Sequence, residues 1–427
     1  MTAQTKSGPA VDEGSARIGL GFSEFVITMA LMTASISFAI DSMLPALPHI
    51  ASALHVEKEN DAQLVIAVFF FGFGLSQLFF GSLADAFGRR RVLLAGLAIF
   101  TVAMLGAAWT ESFTALLILR FCQGIGGAAV RICTTAITRD CFGGREMARV
   151  MSYIMIVFML VPIIAPSLGQ AVLFFGDWSW IFVLLGGVGA ILFLWAALRM
   201  RESLPQAERQ PLSLASVVSG FSTVLTNRIT CGYMIALTLF TGVICAFIVT
   251  VQQVFGTVYG LGDWLPLAFA GTGSGIALAN FGNGQFVRRF GMRRISHAGM
   301  IGFTILAALI FLLSLGGKPP FLITYLGLTL LLMMFAVVAT NFTAISLEPM
   351  GHIAGTATAI TGFVSTTGGA ILGGTIGQMF NGTVQPLFGG FAVFGAVSLV
   401  AVLWAERGQL FTHPGDETAL DPAAGHM

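Results

Sequence analysis

The chain has 427 residues, of which 56% are hydrophobic and only 10% are charged, and its formal net charge at pH 7 is +1. Soluble chains carry about 25% charged residues, so this composition excludes a soluble protein. A net charge near zero also provides no overall field that would attract nucleic acid. Apolar runs of about 20 residues recur along the sequence and predict a polytopic α-helical membrane protein, because a transmembrane barrel needs short alternating strands instead.

Twelve apolar segments predict twelve transmembrane helices in two groups of six. In chain order the predicted spans cover residues 22–50, 61–83, 92–110, 113–138, 147–172, 179–199, 230–255, 264–287, 295–316, 320–347, 353–379 and 385–405. These spans define an N-terminal tail (1–21), an N-terminal bundle (22–199), a linker (200–229), a C-terminal bundle (230–405) and a C-terminal tail (406–427). Residues 212–225 of the linker are compatible with an amphipathic helix on the membrane surface.

Lysine and arginine residues predict the orientation of the spans. Most of the 21 lie in the even-numbered loops, the linker and the two tails, whereas the opposite loops hold only Lys58 and Lys318. Loops rich in lysine and arginine remain on the cytoplasmic side of a membrane. Both termini and the linker are therefore predicted to be cytoplasmic.

A short basic turn occurs twice, 203 residues apart. The segment Gly81-Ser-Leu-Ala-Asp-Ala-Phe-Gly-Arg-Arg-Arg91 is echoed by Gly284-Gln-Phe-Val-Arg-Arg-Phe-Gly-Met-Arg-Arg294. A membrane protein built from two similar halves is typically a transporter. Asp85 of the first copy corresponds to Arg288 of the second, so we expect an acidic latch in the N-terminal half alone.

Charged residues inside predicted spans are expensive unless they are paired or hydrated, and three of them stand out: Asp41, Arg120 and Arg131. At about 1.5 Å per residue, Asp41 and Arg120 lie at similar depth in the outer half of the membrane, which allows them to pair. Such a pair is either a structural salt bridge or part of a coupling site. In the second case Asp41 alternately holds a proton and either a substrate or Arg120.

Arg131 follows Arg120 by about three helical turns and points to nearly the same face of span 4. One interpretation is structural, with Arg131 binding backbone carbonyls or reaching Glu24 or Glu348. The other is contact with a substrate. Sequence alone leaves both interpretations open.

Polar residues in spans 7 and 10 are further candidates for a substrate cavity, although hydrogen bonding between helices explains them equally simply. They are Gln252, Gln253 and Asn341. The chain has no Gly-x-x-x-x-Gly-Lys phosphate loop and no histidine cluster with metal-ligand spacing. We therefore expect neither an enzyme nor a metal site, and no cofactor beyond a proton gradient as the energy source.

Several motifs together resemble the major facilitator superfamily, and in particular its twelve-span drug:proton antiporters. They are the loop signature Gly81-x-Leu-x-Asp85-x-x-Gly88-Arg89-Arg90, the span 4 motif Arg120-Phe-Cys-Gln-Gly124-Ile-Gly-Gly-Ala-Ala, and the segments Asp41-x-x-x-Pro-Ala-Leu-Pro and Arg139-Asp140. The last two segments are similar to those of the bicyclomycin/chloramphenicol-resistance (Bcr/CflA-type) branch. Of that family's span 5 antiporter motif, this chain retains Pro166 and Gly169.

The resemblance implies a fold of two pseudo-symmetric six-helix bundles that rock around a cavity bounded by spans 1, 4, 7 and 10. It implies that Asp85 and the arginines after it latch the cytoplasmic side in one state. It also implies that Arg120 takes part in proton coupling and that Asp41 recognises protons and cations.

The function predicted from these features is proton-coupled export of small amphiphilic compounds, including antibiotics, across the bacterial inner membrane. We expect a monomer whose partners are a small-molecule substrate, protons and the lipid bilayer, without nucleic acid. The main alternative is proton-coupled or facilitative uptake of a metabolite by the same fold. An intramembrane enzyme or a transporter-like receptor would belong to a different class.

Overall fold

The computed structural model describes residues 14–209 and 214–411, which form helices and turns without any strand. The helices are α1 (Phe22–Asp41), α2 (Leu47–Ala53), α3 (Leu64–Phe87), α4 (Arg89–Ala108), α5 (Phe113–Cys141), α6 (Gly144–Phe175), α7 (Ser179–Arg199), α8 (Leu214–Thr226), α9 (Arg228–Gln252), α10 (Leu265–Phe290), α11 (Met292–Leu315), α12 (Phe321–Leu347), α13 (Ala354–Gln378) and α14 (Gln385–Ala405). A π-helical turn, Gln253–Val258, extends α9. The predicted all-helical fold is confirmed.

Eleven helical segments in the described part of the chain are long and apolar enough to cross a membrane. The helix α10 has the required length but is not among them, and it ends in Arg288 and Arg289. It occupies the place of the eighth predicted span, so the structure agrees with a twelve-helix fold. The helix α8 falls within the predicted linker, whose residues 210–213 lie outside the described residues.

The first predicted span is broken beside Asp41, and the reason is local. The helix α1 ends at Asp41, and a turn at Leu44–Ala46 leads into α2. Pro45 has no N–H group to bind the carbonyl of Asp41, so the helical ladder cannot continue. The amide of Met43 binds the carbonyl of Ile40 at 3.2 Å, which leaves the carbonyl of Ala39 free of its usual helical donor.

The chain forms two compact units, which divide between residues 214 and 215 except that Leu265–Phe269 group with the first unit. Within the first unit α3 and α4 both pack against α5. Within the second, α9 packs against α13 and α14. Buried glycines permit several of these close approaches, because a side chain at the contact would meet the backbone of the neighbouring helix.

Gly126→Ala is expected to destabilise the first unit. A Cβ atom at this position of α5 would lie 2.6 Å from both the carbonyl oxygen of Gly96 and the amide nitrogen of Phe100 in α4. Overpacking of this kind costs about 1–3 kcal/mol. The thermal unfolding temperature of the purified protein should fall by several degrees. Gly187→Ala in α7 is the matched control, since nothing lies within 4 Å there; equal unfolding temperatures for both variants would contradict the prediction.

Candidate functional site

Arg120 joins three helices of the first unit and is fully buried. Its Nε donates to the carbonyl of Val65 in α3 at 2.8 Å, and its Nη1 donates to the carbonyl of Ala39 in α1 at 3.0 Å. Nη1 also donates to Oε1 of Gln123 at 2.8 Å, and Gln123 in turn donates to the carbonyl of Ala103 in α4 at 3.0 Å. The guanidinium therefore ties α5 to α1 and α3, and Gln123 extends the network to α4.

No carboxylate balances the charge of Arg120 within residues 14–209 and 214–411. The guanidinium carbon lies 4.7 Å from the centre of the Phe69 ring, a cation–π contact that offsets part of the cost of burial. Its Nη2 is buried and has no hydrogen-bond partner in the part of the chain that the structure describes. The ion pair with Asp41 that depth suggested is not formed in this structure, because Arg120 binds the carbonyl of Ala39 instead.

Asp41 is 5% exposed, and no hydrogen-bond or ion-pair partner for its carboxyl group is found among the described residues. It is the last residue of α1, two positions after the carbonyl that Arg120 binds. The structure thus places Asp41 and Arg120 at the same end of α1. A buried carboxyl group that has no fixed partner is able to gain and lose a proton without breaking a structural contact.

One retained residue of the span 5 motif, Gly169, packs against the segment that follows Asp41. At Gly169 of α6, an added Cβ atom would lie 3.0 Å from the carbonyl carbon of Ser42 and 3.1 Å from Cγ of Pro45. Glycine therefore lets α6 approach the segment that directly follows Asp41. Pro166 lies inside α6, one turn before this contact. The sequence motif predicted neither the contact nor its position, because the two helices are far apart along the chain.

Arg131 is partly exposed, and its side chain makes neither a hydrogen bond nor an ion pair within the described ranges. Its guanidinium carbon lies 5.3 Å from the centre of the Phe158 ring in α6. The two acids suggested as partners, Glu24 and Glu348, each bind a different arginine. The structure therefore does not contain the pairing of Arg131 with Glu24 or Glu348 that the structural interpretation suggested. Contact of Arg131 with a substrate stays a prediction.

The polar residues proposed for a substrate cavity in the second unit lie in different surroundings. The buried Asn341 exchanges two hydrogen bonds with Asn283 of α10, at 3.1 and 3.4 Å, so it joins two helices as the simpler interpretation proposed. Gln253 is buried and begins the π-helical turn that extends α9, and Gln252 directly precedes it. Such turns are frequent at functional sites. A role for these side chains in substrate binding stays a prediction.

The first basic turn assembles a dense set of ion pairs. Nη1 of the buried Arg89 lies 2.5 Å from Oδ1 of Asp85, and its Nε donates to Oδ2 of Asp140 at 3.2 Å. Ser203 donates to the same oxygen of Asp140 at 2.9 Å. Gly88 has φ +97°, a conformation that requires glycine there. Gly81, in contrast, has open space around the position of a Cβ atom, so packing does not require glycine.

Glu202 is a functional candidate that sequence reasoning did not identify. Its Oε1 accepts hydrogen bonds from the amides of Arg89 at 2.8 Å and Arg90 at 3.3 Å. The carboxylate thereby caps the positive N-terminus of α4. The side chain of Arg90 reaches the carbonyl of Ala197 in α7 at 2.6 Å. Glu202 stands in the predicted linker, but the amide of Arg89 that it binds lies 113 residues away along the chain, so no local pattern indicated the contact.

The second basic turn also binds carboxylates, contrary to the expectation that only the first half carries an acid there. Arg293 binds Glu348 at 3.1 Å and Glu406 at 2.9 Å, so the acids come from outside the turn. Tyr233 donates to Glu406 at 2.7 Å and contacts Nε2 of His297 at 2.8 Å. We call Tyr233, Arg293, His297 and Glu406 the second-unit clamp.

The amide of Phe411 completes this clamp by donating to Nδ1 of His297 at 3.1 Å. Nδ1 is therefore an acceptor, and the hydrogen-bond network assigns the proton of the neutral ring to Nε2, which donates to Tyr233. All these side chains are buried. The clamp fixes residues 406–411 against α9 and α11.

Glu406→Ala is expected to destabilise the second unit strongly. The change leaves the buried Arg293 with Glu348 alone and removes the acceptor of Tyr233, and breaking a buried ion pair costs about 3–5 kcal/mol. The purified variant should unfold at a clearly lower temperature than the unmodified protein. Asp263→Ala removes an exposed carboxylate from the same unit and should unfold normally. If the two variants unfold alike, the clamp does not stabilise this unit.

Among the described residues, no group of three or more His, Cys, Asp or Glu side chains could hold a metal ion. A family model described as the Major Facilitator Superfamily matches residues 29–374. Among curated proteins, a bicyclomycin resistance protein homolog of Haemophilus influenzae is 30% identical over 383 residues, covering 89% of this chain and 94% of that one. The multidrug resistance protein MdtL of Escherichia coli is 26% identical over 394 residues, covering 91% and 97%.

Solved structures show the same arrangement of helices. The human organic anion transporter MFSD10 has a TM-score of 0.62 at 18% identity, covering 92% of this chain and 99% of that one. The xylose transporter XylE of Escherichia coli, in a partially occluded inward-open conformation, has a TM-score of 0.66 at 14% identity, covering 90% and 98%. At these identities the likeness concerns the fold alone.

Proposed function

Because this chain belongs to the major facilitator superfamily, we propose that it is a proton-coupled antiporter that exports small amphiphilic compounds by alternating access. The sequence motifs predicted this membership, which the match over residues 29–374 confirms. The chain is a multi-pass membrane transporter of small molecules. Relatives named for bicyclomycin resistance and for multidrug resistance support drug efflux as its general role.

The observation that carries the proton-coupling proposal is the buried Asp41, which has no partner among the described residues and lies two positions after the Ala39 carbonyl that Arg120 binds. An isolated charge inside a membrane is costly, so Asp41 needs either a proton or a cationic partner. We assign these alternatives to different states of the transport cycle. Protonated Asp41 leaves Arg120 on the carbonyl of Ala39, and deprotonated Asp41 binds a cation.

Arg120 is suited to serve as one such partner. Its Nη2 is not used by the carbonyl and amide acceptors that hold the rest of the guanidinium. We propose that this group binds deprotonated Asp41 in a second conformation, and that an arriving proton or cationic substrate displaces it. Since proton and substrate compete for Asp41, the inward movement of one is linked to the outward movement of the other.

Transport into inside-out membrane vesicles tests the direction and the coupling. With the vesicle interior made acidic, ethidium is a suitable fluorescent amphiphilic probe. An antiporter accumulates ethidium inside the vesicles as protons leave, and a protonophore abolishes this accumulation. Vesicles without the protein are the control. Accumulation of ethidium that does not depend on the pH gradient would refute antiport. Movement of ethidium out of the vesicles together with protons would also refute it and would favour the uptake alternative.

We further propose that the protein acts as a monomer in the bacterial inner membrane with both termini in the cytoplasm. The distribution of lysine and arginine supports this orientation. Fluorescent-protein fusions at the C-terminus report the side directly, because green fluorescent protein exported through the general secretion pathway does not fluoresce. A dark fusion that is nevertheless inserted in full amount would contradict the cytoplasmic assignment.

A further inference from the structure

Two related helix pairs of this fold pack differently. Gly72 of α3 and Gly275 of α10 are 203 residues apart and occupy equivalent places in the repeat. A Cβ atom at Gly72 would lie 3.2 Å from the backbone carbon of Phe121 in α5. At Gly275 the nearest atoms are side-chain atoms of α12, with Cγ2 of Thr329 at 3.1 Å. The backbones of α10 and α12 therefore do not approach as α3 and α5 do.

Polar side chains join α10 to α12. Besides the Asn283–Asn341 pair, the hydroxyl of Thr340 donates to Oδ1 of Asn280 at 3.2 Å. These hydrogen bonds join the C-terminal halves of α10 and α12 through side chains, so the two backbones stay apart. The space that remains beside them opens a groove in the second unit.

The groove has a volume of about 440 Å³ and an almost wholly apolar lining from α10, α11 and α12. Its walls include Leu278, Phe286, Ile295, Met333 and Val337, with the amide of Asn283 at one side. From Leu278 to Phe290 it follows α10 for about 18 Å, at 1.5 Å per residue. This length is close to one leaflet of a hydrocarbon core that is about 30 Å thick.

Positive charge lies at the end of the groove. Phe290 lines the groove, and the guanidinium carbon of Arg289 lies 5.3 Å from the centre of its ring. Arg288 and Arg289 are exposed, and neither forms an ion pair within the described part of the chain. An apolar channel one leaflet long that ends at two unpaired arginines matches a ligand with an acyl chain and an anionic head group.

We propose that this groove is a binding site for an anionic phospholipid, with one acyl chain along α10 and the phosphate at Arg288 and Arg289. The amphipathic shape favours a lipid over a second copy of this chain, because an apolar protein surface would leave both arginines unpaired. The site is separate from Asp41 and Arg120, and it does not depend on the direction of transport.

Lipid titration of the purified protein in detergent, followed by native mass spectrometry, tests the proposal. The probes are phosphatidylglycerol and phosphatidylethanolamine with identical acyl chains, and inorganic phosphate alone. The unmodified protein should retain phosphatidylglycerol more tightly than phosphatidylethanolamine and should not retain phosphate. The double variant Arg288→Gln, Arg289→Gln should bind phosphatidylglycerol at least about tenfold more weakly, since each arginine near a lipid surface contributes about 1 kcal/mol.

A second variant addresses the acyl chain. Ala279→Trp places a large side chain in the groove and should reduce the binding of both lipids. Arg91→Gln, at the exposed end of the first basic turn, and Ile305→Trp, on the exposed face of α11, are the matched controls and should bind normally. Equal affinity for the two lipids with no effect of the arginine changes would overturn the proposal. Retention of phosphate alone, or a protein dimer in place of bound lipid, would overturn it as well.

Discussion

Asp41→Asn is expected to abolish export driven by a pH gradient while the protein remains folded in the membrane. Asparagine has nearly the same volume as aspartate, and no structural partner of the Asp41 carboxyl group is found among the described residues, so the exchange breaks no such contact. It removes the only acidic group at the end of α1 that can alternate between a proton and a cation. Accumulation of ethidium in inside-out vesicles measures the effect, and unfolding temperature measures stability.

The matched control for this prediction is Asp177→Asn, which makes the same chemical change at an exposed position of the first unit. Its pH-driven transport should equal that of the unmodified protein. Asp41→Glu should retain part of the activity, because it keeps a titratable carboxyl group at nearly the same place. If the Asp41→Asn protein still accumulates ethidium in response to the pH gradient, Asp41 is not the coupling residue.

Arg120→Leu is expected to eliminate transport and to lower the unfolding temperature substantially. Arg120 donates hydrogen bonds to acceptors on α1, on α3 and on its own helix, and a hydrogen bond of a charged group contributes about 1.5–3 kcal/mol. Without the arginine, the carbonyl of Ala39 has neither its helical donor nor a side-chain donor in a dry interior. Transport assays and thermal unfolding of the same purified samples separate the loss of coupling from the loss of stability.

Arg120→Lys distinguishes the shape of the guanidinium from its charge. Lysine carries the charge as a compact point and cannot present the planar fork that reaches α1, α3 and Gln123 together. Transport should fall at least about tenfold, although the membrane charge is conserved. Gln123→Leu removes one acceptor of Arg120 and one donor to the carbonyl of Ala103 but leaves the guanidinium bound to α1 and α3, so it should have the smaller effect on both readouts. Full transport by the lysine variant would show that charge alone suffices.

Local sequence features predicted much of the fold. Apolar runs gave the approximate positions of the helices, and the prolines after Asp41 account for the end of α1 in the first predicted span. The depth estimated from sequence predicted that Asp41 and Arg120 lie at a similar level, and in the structure both are at the C-terminal end of α1. Depth along a helix could not show that the amide of Met43 binds Ile40 and leaves the carbonyl of Ala39 free, so the expected ion pair was replaced by a bond from Arg120 to the backbone.

The contacts that sequence did not predict join residues far apart along the chain. Glu202 binds amides 112 and 113 residues away, and Tyr233 binds a carboxylate 173 residues away. Such pairs depend on how helices pack, and helix packing follows from the shapes of whole faces rather than from a short motif. The groove beside α10 escaped prediction for the same reason, because the amides that hold it open are polar residues in two separate spans.

The ion pairs of the two basic turns differ in when their partners become available during synthesis. Asp85, Asp140, Glu202 and Ser203 all precede residue 210, so the ribosome supplies every partner of Arg89 before it begins the second half. The counterpart around Arg293 needs Glu406 and the amide of Phe411. The first unit is thus able to complete its basic turn co-translationally, whereas the second unit must wait in the membrane until residue 411 has been made.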